Sequence, residues 1–156
     1  MRWMTYIAAL VFALDQISKY VVVHLMNLRA LGAIEVFPPF LNFRMAWNQG
    51  INFGLLSAQG DAGRWILIGV AVLISGWVVL WVRREEMGLV GQISAGLMVG
   101  GALGNVVDRL IYGAVADFLN MSCCGFNNPF AFNVADIGVF AGALGLVVFS
   151  GNKKTP

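Results

Sequence analysis

The stretch that decides the fold is residues 87–107, MGLVGQISAGLMVGGALGNVV, which carries no charged side chain. Its length is close to the roughly 20 residues that a helix needs to cross the hydrocarbon core of a bilayer. The chain as a whole is 59% hydrophobic and 12% charged, whereas soluble domains carry roughly 25% charged residues. We therefore predict an integral membrane protein.

Three further apolar segments accompany this one, at residues 3–25, 65–82 and 134–149. The charged residues 83–86, RREE, separate the second and third segments and require water, which predicts a tight hairpin between two helices. Residues 1–156 are thus predicted to form a single membrane domain of the all-α class with four transmembrane helices. The net charge of +2 is too small to indicate a nucleic-acid partner.

Residues 26–63 and 109–133 are the two long connections, and four spans place both on one side of the membrane. Residues 41–45 alternate between apolar and polar side chains, and Pro38, Pro39 and Gly50 are typical of turns, so the first connection is predicted to contain short strands. Its aromatic content predicts that it lies on the membrane surface. The second connection is predicted to be a loop.

The orientation follows from the basic residues, which gather at cytoplasmic ends. The side that holds both termini and the short hairpin has five of them: Arg2, Arg83, Arg84, Lys153 and Lys154. Most basic residues on the other side belong to the long first connection, where the rule counts for less. Both termini are therefore predicted to be cytoplasmic.

Glycines recur every four residues at Gly96, Gly100 and Gly104 of the third span, and at Gly138 and Gly142 of the fourth. Small residues let helix backbones approach each other closely inside a membrane. The pattern predicts a packing seam between these helices.

Four carboxylates lie in or near the spans, where a charge costs roughly 2.5–3.5 kcal/mol and needs a reason. Asp15 and Lys19 are spaced to pair on one helix face, and Gln16 and Ser18 can bond to neighbouring spans. Asp108 has local partners in Asn105 and Arg109. We interpret Asp15, Lys19 and Asp108 as parts of the scaffold.

Asp117 and Asp136 have no neighbouring cation in the sequence, and both fall near the outer mouth of the bundle. Asn133 is placed to cap the fourth helix, which sets Asp136 near its third position, where the helix dipole favours a negative charge. Two carboxylates that share a site can hold one proton between them and activate water, as in aspartic proteases. Carboxylates at a membrane mouth also serve proton-coupled transport, so both functions stay open at this point.

Five motifs resemble the signal peptidase II family of membrane aspartyl proteases, and they occur in the family's order. They are DQISK at 15–19, NQGINFG at 48–54, GGALGNVVDR at 100–109, VADF at 115–118 and FNVAD at 132–136.

The resemblance implies that Asp117 and Asp136 are the catalytic pair, that Asp15 and Lys19 are structural, and that further residues support the site or contact substrate: Asn48, Gly54, Asn105, Asp108, Arg109, Asn133 and Ala135. It also implies a small extracytoplasmic β cradle-like insertion between helices one and two. The implied partners are membrane lipids and a prolipoprotein whose lipobox cysteine bears diacylglycerol, cut on the N-terminal side of that cysteine. The implied enzyme is a monomer in the bacterial cytoplasmic (inner) membrane, with its active site near the extracytoplasmic face and no metal or organic cofactor.

Two rival hypotheses remain. His24 could activate Cys123 or Cys124 in a cysteine protease, because all three fall on the outer side of the membrane. A proton-coupled transporter or channel subunit would instead use the acidic residues as a relay through the bundle.

Overall fold

A computed structural model of the protein describes residues 1–50, 61–85, 87–123 and 125–149. Gly54 and Cys124, which the sequence analysis singles out, lie outside these residues. The described helices are α1 (Arg2–Lys19), α2 (Leu28–Leu31), α3 (Asp61–Arg84), α4 (Leu89–Tyr112) and α5 (Val134–Phe149), and a π-helical stretch, Tyr20–Leu25, continues α1. The strands are β1 (Ala33–Phe37), β2 (Leu41–Asn48) and β3 (Val115–Met121).

Three of the helical segments are long and apolar enough to cross a membrane: Arg2–Leu25, Ala62–Arg84 and Leu89–Tyr112. The described part of α5 is apolar but has only 16 residues. The chain is therefore mostly helical with three long apolar helices. α4 continues past residue 107, where the sequence predicts its end, because Gly113 with a φ of 78° is the residue that stops it.

The glycines of α4 and α5 bring three helices into close contact, as their spacing predicts. A methyl group on Gly100 would collide with the backbone oxygen of Ala8 in α1, and one on Gly101 would collide with the backbone oxygen of Ala135 in α5. Gly142 of α5 leaves no room for a methyl group against Met98 of α4. α4 is consequently held between α1 and α5.

α3 joins this bundle through an apolar core on the side of the molecule away from the sheet. Val78 and Val82 of α3 are buried there with Met4 of α1 and with Ala95 and Val99 of α4. The outward faces of the helices carry exposed large apolar side chains, among them Leu73, Trp77, Phe140 and Val147. Such surfaces are suited to lipid.

The sheet has three antiparallel strands in the order β1–β2–β3. β1 and β2 come from the first long connection, as predicted, but β3 follows α4 in the connection that the sequence analysis treats as a loop. The insertion between the first two helices is thus only part of the sheet. Residues 115–118 are buried without interruption, which is typical of a strand covered on both faces rather than of a loop.

β3 also ties the sheet to the end of the first helix. Phe118 of β3 is buried with Val22 of the π-helical stretch and with Leu28 of α2. Its ring meets the ring of Phe43 in β2 edge to face, with the centroids 5.6 Å apart. The position of β3, and of the acidic residue within it, is therefore set by contacts on both sides of the strand.

The close contact at Gly100 gives a first prediction. Gly100→Ala should lower the stability of the folded protein by about 1–3 kcal/mol, because the added methyl group has only the backbone of Ala8 to displace. Gly76→Ala in α3 is the matched control, since a methyl group there meets no described atom within 4 Å. Thermal unfolding of the purified protein in detergent measures both. Equal melting temperatures for the two variants would contradict the packing described above.

Candidate active site

The N-terminus of α5 is built by two side chains that cap each other's backbone. The Asp136 amide donates to Asn133 Oδ1 at 2.9 Å, and the Asn133 amide donates to Asp136 Oδ2 at 3.3 Å. This reciprocal arrangement is a capping box, which satisfies two backbone donors at the start of a helix. The cap predicted at Asn133 is confirmed, and it holds the Asp136 carboxylate in the first turn of α5.

Asp117 reaches the same place from the middle of β3. Its side chain is almost completely buried, and both of its oxygens accept hydrogen bonds from amides. Asn48 Nδ2, at the end of β2, donates to Asp117 Oδ2 at 3.1 Å, and Asn133 Nδ2 donates to Asp117 Oδ1 at 2.6 Å. Asn133 therefore contacts both carboxylates, one through its side chain and one through its backbone.

Asn105 of α4 completes this group of amides. Its Nδ2 donates to Asp136 Oδ1 at 2.9 Å, and its Oδ1 accepts from Asn133 Nδ2 at 3.2 Å. Four segments that are distant in the sequence thus converge on two carboxylates. The structure brings together five of the residues that the resemblance assigns to the site: Asp117, Asp136, Asn48, Asn105 and Asn133.

The two carboxylates differ in their surroundings. Burial, and to a lesser extent the negative charge of Asp136, raise the pKa of Asp117 to about 7. The amides of Asn48 and Asn133 act in the opposite direction, because they donate to the charged form. Asp136 is partly exposed and lies in the first turn of α5. A buried carboxyl group whose pKa is raised to about 7 therefore lies beside a partly exposed one.

Arg109 provides a positive charge near both carboxylates, neither of which has a neighbouring cation in the sequence. Its guanidinium is close enough to Asp117 and Asp136 to interact with both electrostatically. Among the described residues, Nη1 donates to the carbonyl of Asn105 one turn earlier, at 3.4 Å, and the buried Nε has no hydrogen-bond partner. The guanidinium consequently keeps donor capacity beside the pair.

A second cluster, formed by the charged side chains of Asp15, Lys19 and Asp108, lies next to the cluster of amides around Asp117 and Asp136. Lys19 Nζ is 2.7 Å from Asp15 Oδ2 and 2.8 Å from Asp108 Oδ2, and all three side chains are buried. Gln16 Nε2 donates to Asp15 and to Asp108 at 3.1 Å each. The predicted pair of Asp15 and Lys19 is confirmed, and so is the role of Gln16 between helices.

The partners of Asp108 differ from those that the sequence suggests. Its ion pair is with Lys19 on another helix; Arg109 interacts with it only electrostatically, and Asn105 donates to Asp136 instead. Ser18, expected to bond to a neighbouring span, donates to the Asp15 carbonyl of its own helix at 2.9 Å. Both differences arise because helix packing, rather than spacing in the sequence, decides which faces meet.

The two clusters are joined through the backbone. Asp15 Oδ1 accepts from the amide of Ala135 at 2.9 Å, and Asp108 Oδ2 accepts from the amide of Ala116 at 3.1 Å. These are the residues that directly precede Asp136 and Asp117. Ala135 is fully buried in this contact, which gives a physical reason for a small residue at that position.

The residues of the cysteine-protease hypothesis have other surroundings. His24 Nε2 lies 3.1 Å from the Tyr112 hydroxyl at the end of α4. Cys123 is exposed and pairs with Phe126 in a narrow hairpin beyond β3. Neither lies among the amides around Asp117.

Comparisons with known proteins identify the family and the fold. The sequence model of the family "Signal peptidase (SPase) II" matches residues 7–151. A lipoprotein signal peptidase of Methylobacterium sp. (strain 4-46) is 42% identical over 90% of this chain and 84% of its own length. One from Aeromonas hydrophila is 39% identical over 99% of this chain and 92% of its own length.

Two solved structures, both described as a bacterial membrane enzyme, are similar in fold. One has a TM-score of 0.78 and covers 98% of this chain and 93% of its own. The other has a TM-score of 0.80 and covers 97% of this chain and 94% of its own. Both are 28% identical in sequence.

The raised pKa of Asp117 makes the stability of the fold depend on pH. Because the folded state holds this proton up to about pH 7 and an ordinary aspartic acid loses it near 3.8, the stabilisation is present below about pH 4 and is lost as the pH rises to about 7. In Asp117→Asn this carboxyl group is absent, so the free energy of unfolding should no longer fall over this pH range. In the wild type the fall is on the order of a few kcal/mol.

Thermal unfolding in detergent between pH 4 and pH 8 tests this dependence. Glu35→Gln, a change at an exposed carboxylate in β1, should leave the pH dependence of the wild type intact. Parallel curves for the wild type and Asp117→Asn would show that Asp117 titrates as an ordinary carboxyl group.

Proposed function

The chain belongs to the signal peptidase II family, and from that premise we propose that it cleaves prolipoproteins as an aspartyl endopeptidase, with Asp117 and Asp136 as the catalytic pair. Members of this family are proteases that remove the signal peptide from prolipoproteins, and this chain shares that activity. One observation supports the aspartyl mechanism above all others. Two carboxylates from different elements share Asn133, and the pKa of one of them is raised to about 7.

In this mechanism Asp117 carries the proton and Asp136 is ionised. Burial favours the neutral form of Asp117, whereas the N-terminus of α5 favours the charged form of Asp136. The amide donors of Asn48 and Asn133 hold the Asp117 side chain in place. In this proposal the pair holds one proton near neutral pH, and that proton is on Asp117.

The reaction needs one water molecule and no covalent intermediate. Asp136 takes a proton from water while the water oxygen attacks the scissile carbonyl carbon, and Asp117 gives its proton to the carbonyl oxygen. The tetrahedral intermediate then collapses. One of its hydroxyl groups returns a proton to Asp117, the carbon–nitrogen bond breaks, and Asp136 delivers its proton to the leaving amine.

The remaining site residues bind the substrate or position the catalytic pair. Arg109 keeps donor capacity beside the pair, and a peptide carbonyl is an acceptor that its buried Nε can bond. We assign it to the substrate backbone. Asn48, Asn105, Asn133 and Ala135 position the pair, and Gly54 is assigned to the substrate by its motif alone.

The substrate reaches this site from the membrane. We propose that the apolar signal helix enters the bundle and that the diacylglycerol on the lipobox cysteine remains in lipid. The scissile bond on the N-terminal side of that cysteine then meets the pair at the interface. The enzyme acts as a monomer in this proposal, because all the amides around the pair come from one chain.

The proposed topology has four spans with both termini in the cytoplasm of a bacterial cell. α5 is the fourth span, and its apolar side chains face outward. The site lies at its N-terminus, where the C-terminal turns of α4 also contribute residues. The basic residues support the cytoplasmic placement of the termini. The catalytic pair then lies near the extracytoplasmic face of the cytoplasmic membrane.

The transporter alternative is not favoured. A relay through the bundle needs acidic groups that can exchange protons, but Asp15 and Asp108 are both held by Lys19. Family membership favours hydrolysis as well.

Replacing either member of the pair tests the mechanism. Asp117→Asn and Asp136→Asn should each abolish cleavage of a diacylglyceryl-modified lipobox peptide, because each removes a proton carrier while keeping the shape of the side chain. Cleavage by purified protein in detergent is measured at equal folded concentration, and binding of the peptide should persist. Full activity of either variant would exclude the proposed pair.

The double variant Cys123→Ser/Cys124→Ser is the control for the rival nucleophile. It should cleave the same peptide at the rate of the wild type, because the proposed reaction uses no thiol. Loss of cleavage by this variant, with its folded state intact, would favour the cysteine protease instead.

A further inference from the structure

The Lys19 ammonium contacts three different acceptors. Two are the carboxylates of Asp15 and Asp108, at 2.7 and 2.8 Å, and the third is Asn105 Oδ1 at 3.3 Å. Two carboxylates are enough to neutralise a buried ammonium. The contact with Asn105 is therefore additional to the neutralisation of charge, and it points toward the active site.

The side chain of Asn105 ends in an amide, whose oxygen and NH2 group have nearly the same shape but opposite hydrogen-bonding character. Its Nδ2 faces Asp136 at 2.9 Å, while its Oδ1 faces Lys19 and the NH2 group of Asn133. A rotation of the amide by half a turn would place an oxygen against the carboxylate and an NH2 group against the ammonium. An ammonium has no acceptor, so it opposes this rotation.

The Lys19 ammonium also connects the two carboxylates that bind the backbone amides preceding Asp136 and Asp117. Asp15 holds the amide of Ala135, and Asp108 holds the amide of Ala116. Lys19 and Gln16 both join these two carboxylates, so the spacing of the segments that carry Asp136 and Asp117 depends on both residues, whereas Lys19 alone of the two also contacts the Asn105 side chain.

We infer that Lys19 is a positioning residue for the proposed catalytic pair: it directs the Asn105 amide toward Asp136. This inference rests on the proposed function, and it assigns to Lys19 more than the structural role that the sequence indicates. The polar contacts of the Lys19 ammonium with described residues are with Asp15, Asp108 and Asn105, so that it acts on the pair through these neighbours.

Gln16 distinguishes positioning from mere stability. Its Nε2 donates to Asp15, to Asp108 and to the Gly104 carbonyl, so it belongs to the same buried cluster. None of these three acceptors belongs to the Asn105 side chain, and Gln16 carries no charge. A substitution of Gln16 therefore weakens the cluster without releasing the Asn105 amide.

The experiment compares Lys19→Met with Gln16→Met in cleavage of the diacylglyceryl-modified lipobox peptide by full-length protein in detergent. Rates are referred to equal concentrations of folded protein. Lys19→Met should lower kcat about 10- to 100-fold with KM within about twofold of the wild type, because a misplaced catalytic group costs turnover rather than binding. Gln16→Met should lower the melting temperature and leave kcat within about twofold.

A second variant guards against failure of Lys19→Met to fold, since that change leaves two carboxylates facing each other without a cation. Asp15→Asn/Lys19→Met removes one negative and one positive charge together, so the net charge of the cluster is that of the wild type. The asparagine side chain would still offer an oxygen to the amide of Ala135. This double variant should fold and show the same loss of kcat.

The pH dependence of kcat is an independent test, because it would not change if Lys19 were only structural. The groups that face Asp117 are the carboxylate of Asp136, the guanidinium of Arg109 and the ammonium of Lys19, and the positive charge of Lys19 lowers the pKa of Asp117. Removing that charge should shift the alkaline limb of kcat to higher pH. Gln16→Met should leave the limb where it is.

The outcomes separate this inference from the proposed function. A wild type that does not cleave the peptide would overturn the proposed function and the inference with it. If the wild type cleaves but folded Asp15→Asn/Lys19→Met keeps the kcat of the wild type, Lys19 does not position the pair, and the aspartyl mechanism is unaffected.

Discussion

A buried ammonium between two buried carboxylates is the interaction on which the rest of the site depends. Lys19 pairs with Asp15 of its own helix and with Asp108 of α4, at 2.7 and 2.8 Å. Charges inside a membrane are costly unless they are paired and hydrogen-bonded. The cluster satisfies this condition and joins the first helix to α4, which the glycine contacts at Gly100 and Gly104 allow to approach.

Each carboxylate of this cluster also accepts a hydrogen bond from a backbone amide. Asp15 holds the start of α5, and Asp108 holds the start of β3. The segments that carry Asp136 and Asp117 are thereby anchored to one charged centre. Above it, the amides around the pair are satisfied mainly by each other and by the two carboxylates, so that the site is held by hydrogen bonds in a region of low dielectric, where such bonds are strong.

Some features follow from local sequence because they are local in space. The pairing of Asp15 with Lys19 spans one helical turn, and the cap of Asn133 on Asp136 spans three residues. The glycine spacing on α4 and α5 likewise predicts close helix contacts. β3 was not predicted because its short buried run, residues 115–118, lacks the alternation of apolar and polar residues that marks a half-buried strand, and its pairing partner lies far away in the sequence.

By itself, the sequence determined that this is a membrane protein, where its apolar helices lie, and which two carboxylates lack a local cation. Those conclusions rest on hydrophobicity and short-range spacing, which are properties of neighbouring residues. The tertiary structure alone decided that Lys19 rather than Arg109 pairs with Asp108, that β3 closes the sheet, and that Asn133 and Asn105 connect Asp117 with Asp136. These contacts join segments that only helix packing brings together, so no periodicity in the chain encodes them.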